Sequence, residues 1–311
     1  MGGAFAPVGN AITSVVNENR GESPWRAQSH GTMGSQHNIR LLDQGVLQLG
    51  MSNAAISYYA YHGELGWEKE YEIRAVVTLA PNVGLFITRQ ESGIRTMADL
   101  KGKRVTVGPA GAGFEMFVGP LMTEHGVAYL PDRRDFTPIN QNYSDSVQLL
   151  GDGSVDACFM GGAIPTPAVT QASTTYDVFF IPYDEEVRRR LIEKYPFFRE
   201  ALIPAKTRDG KDTYRGLDDD FPSMDVGSMH LITHERVDEE LVYRLTKLIW
   251  ENRADIAQQH PAARAINERN AVRNTGIPFH PGAIRFYREI GIWPDDSPSG
   301  EGAPPSAPGK S

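Results

Sequence analysis

Short apolar runs alternate with small-residue turns and amphipathic stretches along most of the chain. VLQLGMSN (46–53), IRAVVTLAP (73–81), VGLFITRQ (83–90), RVTVG (104–108), DFTPINQ (135–141), VDACFMGG (155–162), DVFFIPYD (177–184) and VGSMHLITH (226–234) read as strands. Each is rich in β-branched or aromatic residues and too short for a buried helix. Between them, helical spacing of apolar residues predicts helices over Pro7–Val16, 38–45, 54–63, 92–100, 114–126, 144–153, 164–174 and 185–195. Glycines 45, 63, 151 and 153 close three of these, and Pro7 opens the first. WRAQSHG (25–31) reads as extended chain, 206–222 as a polar loop, 238–260 as one long amphipathic helix, and 297–311 as a disordered Pro/Gly/Ser tail. Strand, small-residue turn and helix recur so often that an α/β fold with parallel strands follows. Ligands in such sheets sit off the C-terminal ends of the strands.

Ser92–Glu115, SGIRTMADLKGKRVTVGPAGAGFE, concentrates that pattern: a capped turn, a strand, a glycine loop and a helix start. A strand that feeds a glycine loop into a helix aims free backbone N–H groups at one point, which suits a carboxylate or a phosphate. Three other small-residue turns also open helices, at Gly2–Pro7, Thr32–Asn38 and 160–167 (MGGAIPTP). Four such turns in one α/β chain look like the walls of a cleft between two lobes.

At 311 residues the chain can form one large or two medium domains. A net charge of −8 and a pI near 5.5 argue against nucleic acid or an anionic membrane surface as partner. Cys158 is the only cysteine, which leaves no disulfide framework and no thiolate zinc site. Its apolar setting reads as core. The eight histidines form no H-E-x-x-H motif, His230 and His234 stand four apart in a strand pattern, and His280 between two prolines reads as structural. GPAGAG could open a dinucleotide site, but the next strand ends at Ile139-Asn140-Gln141 without a carboxylate, and Glu115 would repel a pyrophosphate. No cofactor is expected, and no paired acid and base can be named.

The same residues resemble the TAXI family, the solute-binding receptors of a subclass of tripartite ATP-independent periplasmic (TRAP) transporters. The likeness runs from Gly3 to about Ile292 and is strongest in 92–115, 152–174, YPFFREALIPAKT (195–207) and IPFHPGAIRFYREIGI (277–292). It implies a class II periplasmic-binding-protein fold: two α/β lobes joined by hinge strands around a central ligand cleft. Residues 1–87 and 185–295 would form the first lobe and 88–184 the second. It implies a non-enzymatic periplasmic receptor that captures a small organic acid or amino-acid-like ligand and presents it to the membrane permease subunits of a TRAP transporter; a monomer is expected. The alternative is an enzyme or a cytosolic ligand sensor on the same fold, with Glu115 or His37 facing the cleft.

Carried over position by position, the ligand-binding residues would be Gly3, Ala4 and Phe5; Thr32, Gly34, Ser35 and Asn38; Asn53; Gly111, Ala112, Gly113, Phe114 and Glu115; and Met160, Gly161, Gly162 and Ala163. The family usually has GSGT where Gly111–Phe114 stands here, and often an aspartate where Ala54 follows Asn53. The strand that normally precedes the Gly3 turn, and a signal peptide, are also missing, which suggests a truncated or misassigned start. If Phe114 lines the cleft, the ligand should be a monocarboxylate with an aliphatic or aromatic body. If it turns into the lobe core, the cleft is left alone.

Overall fold

A computed structural model describes residues 5–294; the Gly3–Ala4 turn and the 297–311 tail lie outside them. Ten strands are β1 Leu49–Asn53, β2 Ile73–Thr78, β3 Val83–Arg89, β4 Arg104–Thr106, β5 Thr137–Ile139, β6 Ala157–Met160, β7 Val178–Ile181, β8 Phe198–Ile203, β9 Phe221–Val226 and β10 Met229–His234. The helices are α1 Phe5–Asn19, α2 Ser35–Asp43, α3 Ala54–His62, α4 Glu115–Glu124, α5 Tyr143–Gly151, α6 Pro167–Thr175, α7 Glu185–Lys194, α8 Glu239–Glu251, α9 Arg253–Gln259, α10 Glu268–Ala271 and α11 Pro281–Glu289. None is long and apolar enough to cross a membrane.

The strands form two sheets, β1-β10-β2 and β5-β4-β6-β3-β9-β8, with β7 also paired to β3. Among the strands of the described residues, parallel pairing occurs in β5-β4-β6, and a single parallel bridge joins Ala75 of β2 to Phe279. β3 runs antiparallel to β6, β7 and β9, and β10 antiparallel to both β1 and β2. The parallel strands expected of an α/β fold are present, within sheets that are mixed. The reason is topological: β10 returns from the larger sheet and enters the smaller one from the opposite end.

Two connections join the sheets, Leu79–Asn82 between β2 and β3 and Gly227–Ser228 between β9 and β10. The family resemblance assigns 185–295 to the first lobe. Here β8 pairs with β9 from Phe198↔Val226 to Ile203↔Phe221, and β9 pairs with β3, so 198–226 belongs to the larger sheet. One apolar core runs through both sheets, from Ile39 and Val76 to Val107, Phe117 and Phe159; a second lies under Val83, Leu85, Val169 and Tyr214.

Local chemistry explains several elements. Asn53, Asn142, Asp184 and Asp238 each accept a backbone N–H at the start of α3, α5, α7 and α8. The His280-Pro281-Gly282 block is structural: His280 donates its N–H to Ala75 at 2.9 Å and its Nδ1 accepts from Gly282 at 3.2 Å. A Cβ on Gly282 would meet the Glu239 carbonyl oxygen at 2.3 Å, so only glycine lets α11 cross α8 this closely. Cys158 is fully buried, and burial pushes its thiol up to about 12.

Candidate functional site

The glycine loop before α4 meets the α2 turn where the two sheets face each other. Gly113, at φ +85, ends the glycine loop against the other sheet's helices: a Cβ there would lie 2.8 Å from Ile56 Cδ1 on α3 and 3.2 Å from Gln36 Nε2 on α2. Gln36 Nε2 also reaches Glu115 Oε1 at 3.5 Å, a long contact between the lobes. Among the described residues, no backbone carbonyl accepts from the N–H groups of Gly113, Phe114 or Glu115. These are the free donors expected at the start of α4. The helix has no side-chain cap, since Phe114 occupies the cap position.

Phe114 is half-buried. Its ring packs on Phe117 at 5.0 Å, Tyr143 at 6.0 Å and Phe159 at 6.3 Å, and it closes over Gly108, where a Cβ would come within 2.3 Å of the ring. One side of the ring therefore packs on the core of the larger sheet, while the rest stays open. Ala112 is half-buried and Gly111 exposed on the same loop.

On the α2 side, Ser35 and Asn38 are buried and spend their side chains on the edge of β1. Ser35 Oγ accepts the Asn53 N–H at 3.0 Å, and Asn38 Nδ2 donates to the Met51 carbonyl at 2.8 Å. Thr32 Oγ1 donates to Asn38 Oδ1 at 2.6 Å and accepts from the Gly34 N–H at 3.3 Å. Asn53 is likewise committed: Oδ1 caps α3 through Ala55 N–H, and Nδ2 donates to the Gly227 carbonyl at 2.7 Å. These residues hold the turn in place, and their backbone is what they present. Phe5 sits half-buried at the start of α1, packed against the core.

On the last wall, Met160 and Gly161 are buried, Gly162 half-buried and Ala163 exposed. A Cβ on Gly161 would meet Asn82 Oδ1 at 2.8 Å and the Tyr143 hydroxyl at 3.1 Å, which brings this turn to the first crossing. The Gly162 carbonyl accepts the Val83 N–H at 2.9 Å.

Sequence reasoning missed Gln36, Ile56, Asn82, Tyr143, Gly227 and the polar cluster beside them. Gly227, at φ +108, was read as the interior of one strand; a glycine inside a strand pattern was the available signal. In the cluster, Asp225 accepts from Asn82 N–H at 3.0 Å, from the Ser228 hydroxyl and from Arg273 Nη2 at 3.3 Å. Burial raises the Asp225 carboxyl above the usual carboxylate range, against the pull of Arg273, Ser228 and the Asn82 N–H. Next to it, His230 bonds Ser57 Oγ at 2.8 Å and Thr275 at 3.2 Å, and Ser57 donates to Ser52 at 2.8 Å. Burial first, then the Arg273 charge, lowers His230 to about 3 and keeps it neutral. Ser52, Ser57 and His230 are 0% exposed, so this serine–histidine chain is closed off from solvent in this structure. No group of three potential metal ligands occurs among the described residues.

Residues 1–291 match the model of the NMT1-like family. Among solved structures, the Xanthomonas citri protein XAC2383 bound to ATP superposes with a TM-score of 0.50 at 12% identity, over 92% of this chain and 90% of that one. The alkanesulfonate-binding protein SsuA from Xanthomonas axonopodis pv. citri, bound to MOPS, gives 0.47 at 14% identity over 93% and 77%. A binding protein component of a phosphonate ABC transporter from Pseudomonas aeruginosa gives 0.49 at 10% identity over 82% and 72%. The architecture is the periplasmic-binding-protein-like α/β fold.

Proposed function

The chain belongs to the NMT1-like family, and from that premise we propose that it is an extracytoplasmic receptor for a small organic anion. The observation that carries this reading is the opposition of two helix-opening turns. The Gly113–Glu115 N–H groups point from one sheet's side, and the α2 start with Gln36 faces them from the other. A carboxylate on those donors would touch both lobes at once and favour the form in which they are apposed. The bound form then docks on a membrane transporter. The likeness to TAXI receptors supports a TRAP-type permease, with an ABC-type partner as the competing outcome. Ligand-binding roles for Thr32, Gly34, Gly111, Ala112 and Gly161–Ala163 run through backbone groups on this reading.

The test is thermal and calorimetric titration with a panel of carboxylates, amino acids and sulfonates. A true ligand at 100 times its Kd adds about 2.7 kcal/mol of stability. A panel without a single stabilising compound would remove the support. Co-purification of the liganded protein with candidate permeases of each type decides between TRAP and ABC delivery.

A further inference from the structure

A second polar region lies beside the crossings, outside the cleft turns. Arg199 on β8 is in register with Asp225 on β9, and Asp225 already holds Arg273. Arg273 is nearly enclosed, with 11% of its side chain exposed, and its Nε has no partner among the described residues. The Arg199 side chain likewise has no hydrogen bond or ion pair among the described residues. Desolvation of its head and the Arg273 charge lower its pKa, while Asp225 raises it. One buried carboxylate therefore pairs with Arg273, and Arg199 stands in register with it without an ion pair of its own. A cavity of ≈ 520 Å³ opens at this point, lined by Arg199, Glu200 and Asn274, the neighbour of Arg273, and by the apolar Ile192, Pro196 and Phe198. Glu200 is the one opposing charge on the wall.

We propose that this cavity is a second ligand site, taking a small organic oxyanion whose head pairs with Arg199 and whose body lies on Ile192, Pro196 and Phe198. A planar guanidinium without a partner matches a carboxylate or sulfonate in two parallel hydrogen bonds. The volume falls within the range of small-molecule sites. Ile192–Glu200 leads into the larger sheet. Asn274 follows Arg273, whose carbonyl accepts from Thr78 of the smaller sheet at 3.2 Å. An occupant would thus touch chain from both sides of the crossings. This proposal does not rest on the cleft reading.

Sodium benzoate and sodium methanesulfonate are the probes, titrated by calorimetry at constant ionic strength into the wild type, Arg199→Gln and Gly113→Ala. Arg199 is exposed on an edge strand, so its variant should melt like the wild type without probe. The expected result is saturable binding of at least one probe that weakens tenfold or more in Arg199→Gln and is kept in Gly113→Ala. No saturable binding of either probe to the wild type overturns the proposal. So does binding that Arg199→Gln leaves intact, or that only Gly113→Ala removes, which would place the probe in the cleft.

Discussion

Asp225 and Asn82 stand at the two crossings between the sheets, and the Asp225 carboxylate accepts the Asn82 N–H at 3.0 Å. With Ser228 and Arg273 on the same carboxylate, one side chain ties together the only two connections between the sheets among the described residues. Removing the carboxylate leaves a nearly buried guanidinium without its counter-charge. Asp225→Ala is expected to cost about 3–5 kcal/mol in urea unfolding. Adding Arg273→Met should recover part of that loss. A single variant within about 1 kcal/mol of the wild type would show that the tie does not stabilise the fold.

Gly113 should tolerate no side chain. Gly113→Ala forces a Cβ into φ +85 and to within 2.8 Å of Ile56 Cδ1, so a loss of about 1–3 kcal/mol is expected. Ile56→Val removes the clashing methyl but leaves the backbone strain, so the double variant should recover only part. Full recovery would mean that the φ angle costs nothing. No recovery would mean that the two sides do not touch there.

Phe114 contributes packing. Phe114→Thr with Ala112→Ser should lower stability by about 2–3 kcal/mol, somewhat under the loss for a fully buried phenylalanine. The order in which the protein prefers apolar and polar acids should stay the same. Calorimetry showing a reversal of that order would return the ring to the cleft.

His230 sets a pH dependence with a defined sign. Its folded pKa of about 3 lies below the ordinary 6.5 of the unfolded chain. As pH falls through that window the unfolded chain takes up a proton that the folded chain refuses, so stability falls, by up to about 1.4 kcal/mol per pH unit for this one group. Burial also lowers the pKa of His125, His234 and His280, and they add to the same limb. His230→Gln should flatten the slope of unfolding free energy between pH 6.5 and 4 by as much as one proton. An unchanged slope would mean that His230 does not stay neutral in the fold.

By itself, the sequence determined the elements whose signals sit within a few residues. Helix α1 with Pro7 in its first turn, the apolar β2 and β3 broken at Pro81-Asn82, the glycine loop before α4 and the structural His280 were all legible, because capping, apolar spacing and glycine turns are local chemistry. Some local readings failed for local reasons. Gly93 at φ +77 divides 92–100 into bend and 3-10 turns, and the long helix expected over 238–260 is interrupted at Asn252 (φ −102, ψ 18). The β8–β9 pair was invisible: Arg199 and Glu200 stand exposed on an edge strand, and β9 carries Pro222 and the buried Asp225, so neither shows a clean alternation. Only the tertiary structure decided that Gly113 faces Ile56, that Ser35 and Asn38 secure β1 while one side of Phe114 packs on the core, and that Asp225 joins the crossings. Those relations pair residues that stand far apart along the chain, as Asn82 and Asp225 do at 143 positions. Their partners are chosen by sheet pairing and burial, which no window of neighbouring residues contains.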